Sequence, residues 1–143
     1  MVLGFWDLEV PIVGAPMSGG PGTPALAAAV SNAGGFGFLA SGYVSAERLA
    51  HDIAATRAAT TGPIGVNLFV PQPSVADVYA LNNYADALDD LAEHYGVEIG
   101  HPKFGDDDGW QQKLEVVADL RPEMVSFTFG APSPDVLRWF GAL

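Results

Sequence analysis

Short apolar runs alternate with segments that carry helix signals along most of this chain. Runs of this kind, bounded by glycine and proline, are typical of buried strands. They are PIVGAPM (Pro11–Met17), FGFL (Phe36–Leu39), IGVNLFV (Ile64–Val70) and MVSFTF (Met124–Phe129). Because a helical segment separates one run from the next, the alternation predicts βα units and a parallel sheet with its strands in the order 1-2-3-4.

Capping residues mark where the intervening helices begin. Thr23 is followed by Pro24 at the first helical position, and Ser133 is followed by proline in the same way. Ser45 precedes the segment AERLAHDIAATRAA, and WQQKLEVVADL (Trp110–Leu120) precedes the fourth strand. These signals predict a helix after each of the first two strands, one before the fourth strand and one after it.

A further apolar stripe lies between the third strand and Trp110. Leu81, Tyr84, Leu88, Leu91 and Tyr95 recur at helical spacing, with acidic residues on the other faces. This pattern predicts one amphipathic helix, additional to the βα repeat and packed through its apolar face.

The stretch from Gly14 to Gly42 consists mostly of glycine, alanine and proline. Small residues allow a helix to pack closely on a strand, and glycine loops allow the backbone to approach a ligand at the carboxyl end of a strand. Tight turns without any ligand explain the same glycines. The stretch therefore predicts a βα unit and leaves the ligand open.

Composition narrows the class of protein. The chain has 143 residues, no cysteine and a net charge of −11. A chain of this length forms one domain, and its acidity disfavours nucleic acid and anionic membrane surfaces as partners. Disulfides and thiolate metal sites are excluded, and neither a signal peptide nor an apolar run of membrane-spanning length is evident. We expect a cytoplasmic protein.

Several of these segments resemble the nitronate monooxygenase family, formerly called the 2-nitropropane dioxygenases. The resemblance lies in PIVGAPMSGGPGTPALAAAVSNAGGFGFLASG, GVNLFVP, DDDGWQQKL and PEMVSFTFGAP, in that order along the chain. Flavin enoyl-reductases of fatty-acid synthesis and IMP dehydrogenase are related alternatives. The pairing of VNLFVP with VSFTFGAP favours the monooxygenases.

The resemblance implies an α/β fold, the N-terminal half of an FMN-binding TIM barrel. Residues 1–143 then form a partial barrel domain of about four βα units, with the extra helix after the third strand. Family members oxidise alkyl nitronates with molecular oxygen, so nitronate and oxygen are the implied substrates of the complete enzyme.

The resemblance also implies which residues contact the flavin. The backbone at Ala15, Pro16 and Met17 lies against the ring in this family, and the asparagine that matches Asn67 contacts FMN. An amide within an apolar strand has to be hydrogen-bonded, and it both donates and accepts. Met17 has an alternative interpretation as a core residue.

Other polar residues have weaker claims. Ser126 and Thr128 fall on one face of the last strand and either line the barrel interior or serve packing alone. We predict that His51, His94 and His101 lie at the surface or an interface, and that Asp106–Asp108 form a cluster at a helix N-terminus. We assign no metal and no catalytic residue.

The family's catalytic histidine belongs to a later glycine-rich segment, and barrels of this kind bind the phosphate after strands 7–8. Neither segment is present in this sequence. We therefore expect this chain alone to be inactive, with weak FMN binding or none, and to form homo-oligomers through its exposed sheet edges. The alternatives are a fragment of a complete enzyme, a self-associating structural module and a different, non-enzymatic fold.

Overall fold

The computed structural model describes residues 4–73, 77–100 and 103–142. The strands are β1 (Val13–Gly14), β2 (Phe36–Ala40), β3 (Ile64–Phe69) and β4 (Met124–Thr128). The helices are α1 (Pro24–Asn32), α2 (Ala46–Ala59), α3 (Val78–Asp86), α4 (Asp89–Tyr95), α5 (Trp110–Leu120) and α6 (Pro134–Gly141), after a short 3-10 helix at Phe5–Asp7. No helix in these ranges is both long enough and apolar enough to cross a membrane.

The strands form one parallel sheet in the order β1-β2-β3-β4, which confirms the predicted order and direction. In the register, Asn67 lies between Ala40 of β2 and Ser126 of β4. Because consecutive side chains alternate between the two faces of a sheet, this row of three shares one face.

The described residues fall into two compact units. The first runs up to Pro71 and resumes at Asp107, so it contains the sheet with α1, α2, α5 and α6. The second, Gln72–Asp106, contains α3 and α4.

The core of the first unit lies between the sheet and its helices. Leu39, Val66 and Leu68 supply the sheet side of this layer. Leu49 and Ile53 of α2 pack against them, together with Ala27, Leu114 and Val117 of α1 and α5. We call this helix-covered side of the sheet the outer face.

The small residues of the opening stretch bring α1 very close to β2. A Cβ atom added to Gly37 would lie 2.0 Å from the carbonyl oxygen of Ala27, which is a backbone atom held within α1. A Cβ atom added to Gly14 would lie 3.1 Å from the Val30 side chain, a tight contact that is milder than the one at Gly37. The glycines are therefore needed for helix-on-strand packing, and the predicted βα unit is confirmed.

The predicted caps are present. The side chains of Thr23, Ser45 and Ser133 accept hydrogen bonds from backbone N–H groups in the first turns of α1, α2 and α6. The hydrogen bond between Ser45 and Glu47, helped by a backbone hydrogen bond, lowers the pKa of the Glu47 carboxyl. The bounds of α2 and α5 are those of the predicted segments.

Two predicted elements differ from the structure. The first strand is not a buried run over Pro11–Met17: it is limited to Val13–Gly14, and Val13 is exposed. Proline cannot donate to a sheet ladder, and prolines at positions 11 and 16 lie on both sides of this short strand.

The single helix predicted over Leu81–Tyr95 is wrong as well. The segment forms α3 and α4, separated at Ala87–Leu88, and neither helix contains a buried residue. Asp89 and Asp90 occupy the first turn of α4, where carboxylates stabilise a helix start, whereas aspartate is unfavourable inside a helix. These charges favour a new helix over a continuous one.

We predict that Gly37→Ala destabilises the protein by about 1–3 kcal/mol, because the new methyl group collides with the α1 backbone. Gly141→Ala is the matched control, since nothing lies within 4 Å of its Cβ position. The control should change stability by less than about 1 kcal/mol. Urea unfolding followed by circular dichroism measures both, and equal effects would contradict the close-packing explanation.

Candidate functional site

The face of the sheet opposite the helices carries the polar residues of the strands. By register and alternation this inner face presents Phe38, Ala40, Gly65, Asn67, Phe69, Met124, Ser126 and Thr128. Gly65 lies beneath the Phe38 ring, which a Cβ at position 65 would meet at 2.4 Å. The amino-terminal part of this face is therefore aromatic, and polar side chains begin at Asn67.

Asn67 is buried, with 5% of its surface exposed, and its side chain bonds to the neighbouring strand. Its amide nitrogen Nδ2 donates to Ser126 Oγ at 2.9 Å and to Thr128 Oγ1 at 3.1 Å. Thr128 Oγ1 lies 3.2 Å from Asn67 Oδ1, to which it donates. The predicted shared face of Ser126 and Thr128 is thus confirmed, and both hydroxyls meet the same amide.

We call Asn67, Ser126 and Thr128 the amide cluster, and not all of its donors and acceptors are used by the bonds just described. An amide oxygen accepts two hydrogen bonds and a hydroxyl both donates and accepts. Asn67 Oδ1 accepts from Thr128, which leaves it a second lone pair, while the Ser126 hydroxyl uses only its acceptor role toward Asn67. Within the part of the chain that the structure describes, these bonds use neither the second lone pair of Asn67 Oδ1 nor the hydroxyl hydrogen of Ser126.

A second set of contacts fixes the backbone of Asn67. Its carbonyl oxygen accepts from the Ser41 N–H at 3.0 Å and from Ser41 Oγ at 2.7 Å. The carbonyl oxygen of Ser41 in turn accepts from Lys113 Nζ at 2.7 Å, and this ammonium also pairs with Asp108 Oδ2 at 2.7 Å. These groups lie at the carboxyl ends of β2 and β3, the edge where barrels of parallel strands bind ligands.

The sequence offered a signal for Lys113 that the prediction missed. Lys113 occupies an apolar position of α5, at helical spacing from Trp110, Leu114 and Val117. A lysine at an apolar helix position is either exposed to solvent or buried with a partner for its charge. Lys113 is buried and forms an ion pair with Asp108.

Ala15, Pro16 and Met17 follow β1 directly and are at least partly exposed. Ala15 and Met17 line a small apolar cavity of about 190 Å³ together with residues of α1 and β2. Its volume is below the roughly 300–1,000 Å³ of complete small-molecule sites. β2 lies between β1 and β3 in the sheet. The segment that follows β1 and the Asn67 of β3, which are the two predicted parts of the flavin contact, therefore belong to strands on either side of β2.

Aromatic rings surround the carboxyl end of β3. The rings of Tyr43 and Phe129 each approach Phe69 edge-on, with centroids 5.4 and 4.8 Å away. Gly42 allows the approach of Phe69, because a Cβ there would lie 2.2 Å from the ring. We call Tyr43, Phe69 and Phe129 the aromatic rim.

Two of the three histidines lie at the surface, as predicted. His51 on α2 is exposed, His94 on α4 is exposed, and His101 lies outside the described residues. In the part of the chain that the structure describes, no three His, Asp or Glu side chains are grouped as metal ligands would be.

The acidic triplet is only partly the predicted cluster at a helix start. Asp107 accepts from Gly109, the residue that precedes α5, but no side chain caps that helix. Asp108 instead turns to Lys113 and accepts from the Tyr43 N–H at 2.9 Å. Burial of the lysine, which requires a counter-charge, accounts for this difference.

Comparison with known proteins adds an independent finding. Residues 4–139 match the protein family described as nitronate monooxygenase. Curated relatives include nitronate monooxygenases of Paraburkholderia phytofirmans, 38% identical over 95% of this chain, and of Pseudomonas aeruginosa, 39% identical over 92%. The chain spans 38% of the length of each of these relatives.

Solved structures show the same relationship. The nitroalkane oxidase of Streptomyces ansochromogenes is 43% identical and superposes with a TM-score of 0.89, covering 96% of this chain and 39% of its own. FabK from Thermotoga maritima is 27% identical, with a TM-score of 0.60 over 95% of this chain and 32% of its own. The fold is accordingly an α/β partial TIM barrel, as the resemblance implied.

We predict that Asn67→Ala lowers the free energy of unfolding by about 1–3 kcal/mol, because it leaves the Ser126 and Thr128 hydroxyls without their partner. Combining it with Thr128→Val should cost less than the sum of the single changes. Thr60→Val, at the opposite end of the sheet, serves as the control and should be additive with Asn67→Ala. The urea unfolding midpoints of the single and double variants measure these effects. Additive effects of Asn67→Ala and Thr128→Val would contradict a hydrogen-bonded cluster.

Proposed function

The chain belongs to the nitronate monooxygenase family, and from this membership we propose that it supplies one wall of an FMN site in an enzyme that oxidises alkyl nitronates with molecular oxygen. The observation that carries the proposal is the amide cluster of Asn67, Ser126 and Thr128 on the inner face of the sheet. Its free acceptor and donor suit the polar edge of a flavin ring, which also presents both.

The described residues fit the ring of the cofactor. We propose that the backbone at Ala15, Pro16 and Met17 provides the apolar wall, and that Asn67 provides the polar contact. Ala15–Met17 follow the carboxyl end of β1, and Asn67 lies in the carboxyl-terminal half of β3. Barrel enzymes bind their ligands at this end of the parallel strands. The flavin supplies the redox chemistry when it is bound, whereas this wall orients the ring and excludes water from one side.

The same residues do not fit the phosphate or the proton transfer. A flavin phosphate is held by backbone N–H groups at a helix start, and the family's phosphate loops and catalytic histidine have no match in this sequence. A positioned base is worth about 10²–10⁴-fold in rate. We therefore propose that the complete site needs further residues and that this chain alone does not turn over substrate.

We predict that the purified chain is colourless or binds FMN weakly and shows no oxygen uptake with propyl-2-nitronate. The proposed ring contacts lie in this chain, whereas the family's phosphate loops and catalytic histidine have no match in its sequence. Visible absorbance and an oxygen electrode measure the two properties, with a full-length family member as the positive control. A yellow protein with robust uptake would contradict the proposal that the site needs residues outside this chain.

Asn67→Ala tests the ring contact separately. In a full-length relative with the matching asparagine changed to alanine, FMN affinity should fall, whereas a conservative change on the outer, helix-covered face of the same sheet should leave it unchanged. Unaltered affinity in the first variant would remove the asparagine from the flavin site.

A second candidate role, self-association as a structural module, is favoured by the surface beside β4. A groove of about 460 Å³ there is lined largely by apolar side chains, among them Val117, Met124, Phe127, Leu137 and Phe140. Leu137 and Met124 are 52% and 39% exposed, and β4 ends the sheet on this side. Unpaired strand edges beside apolar surface favour association.

We predict that the chain forms dimers or larger oligomers through this edge of the sheet. Leu137→Lys places a charge in the groove and should shift the protein towards monomer, whereas Tyr79→Lys, on an exposed position of the second unit, should not. Light scattering at high micromolar concentration measures the mass. A stable wild-type monomer would contradict the prediction.

A further inference from the structure

Lys113 is the one Lys, Arg, Asp or Glu residue that is fully buried among the described residues, with 1% of its surface exposed. A buried ammonium loses its hydration, and this cost has to be offset by charged and polar partners. Its partners are the Asp108 carboxylate and the Ser41 carbonyl oxygen, each 2.7 Å away. A packing residue of α5 would be apolar, so the charge itself requires an explanation.

The two partners lead to two different parts of the candidate site. Through Ser41 the ammonium reaches the Asn67 carbonyl oxygen, which accepts from both the Ser41 N–H and its hydroxyl. Through Asp108 it reaches the Tyr43 N–H, which donates to Asp108 Oδ1 at 2.9 Å. One buried cation is thereby connected to the amide cluster and to the aromatic rim.

The connection through Asp108 involves two residues whose backbone conformation is unfavourable. Tyr43 and Asp108 both have positive φ, 65° and 56°, in the left-handed region that side chains other than glycine rarely adopt. Such conformations persist only when their surroundings enforce them, and they cluster at functional sites. The Tyr43 ring is 78% exposed, so burial of the ring does not offset the strain. The contacts that hold Tyr43 are the hydrogen bond from its N–H to Asp108 and the edge-on contact of its ring with Phe69.

We propose that Lys113 is a positioning residue of the site: its ammonium fixes the Asn67 end of β3 through Ser41, and it holds Tyr43 in the aromatic rim through Asp108. Without the ammonium, Asp108 loses the ion pair at Oδ2 that helps to orient its other oxygen, Oδ1, toward the Tyr43 N–H. The identity of the ligand that meets this edge rests on the proposed function, but the positioning is a property of this chain and is testable without FMN.

Lys113→Met tests the proposal, because it keeps the apolar stem and removes the ammonium. Val117→Ala, one turn further along α5, is the matched control, since it removes buried apolar volume from a side chain that has no hydrogen-bonding group. Amide hydrogen exchange and the side-chain amide signals of Asn67 are recorded by NMR on the full chain, with no flavin present.

Exchange at the Tyr43 and Ser41 amides should accelerate by about tenfold more in Lys113→Met than in Val117→Ala, relative to amides in the core of α2. The Asn67 side-chain signals should shift only in Lys113→Met. Uniform acceleration at all amides, equal in the two variants, would overturn the proposal.

If Lys113→Met does not fold, Asp108→Ala supplies the test at Tyr43 alone, because it removes the acceptor of the Tyr43 N–H, and unchanged exchange at that amide would overturn the proposal equally. Because no flavin enters these measurements, failure of FMN to bind would count against the proposed function and leave the positioning result standing.

Discussion

The burial of β3 is the constraint on which the rest of the first unit depends. β3 is paired on both sides, and Ile64, Val66 and Leu68 are completely buried on the outer face. A strand in this position tolerates a polar side chain only when its hydrogen bonds are made within the protein. The Asn67 side-chain amide therefore needs the hydroxyl residues Ser126 and Thr128 on β4. The backbone carbonyl oxygen of Asn67 is satisfied by Ser41.

The two faces of the sheet consequently obey different rules. The outer face is apolar, and glycine at position 37 lets α1 approach until backbone lies against backbone. The inner face carries an aromatic part at Phe38 and a polar part at Asn67, and its carboxyl end carries the aromatic rim. The apolar core lies on the first face, and the hydrogen-bonded side chains of Asn67, Ser126 and Thr128 lie on the second.

The length of the chain sets the limits of the site. It matches 38% of the length of each curated relative and carries four parallel strands, which form part of a TIM barrel. In the proposed site these strands supply orientation and an apolar surface. Proton transfer and anchoring of an anionic group need residues that converge from several directions, so we propose that other parts of the complete enzyme contribute them.

The sequence by itself determined the features whose causes are local. Capping by Thr23, Ser45 and Ser133, the bounds of α2 and α5, and the parallel order of strands follow from residues a few positions apart and from simple alternation. The motifs likewise identified the family and pointed to Asn67. Local patterns made β1 too long, however, because they did not account for the prolines on both sides of it. They also predicted one helix in place of α3 and α4, because the apolar periodicity hid the effect of the acidic residues at the start of α4. Only the tertiary structure decided that Asn67 meets Ser126 and that Lys113 meets Ser41, since these pairs are 59 and 72 residues apart. Register and helix docking create such contacts, and neither leaves a signature in the residues between the partners.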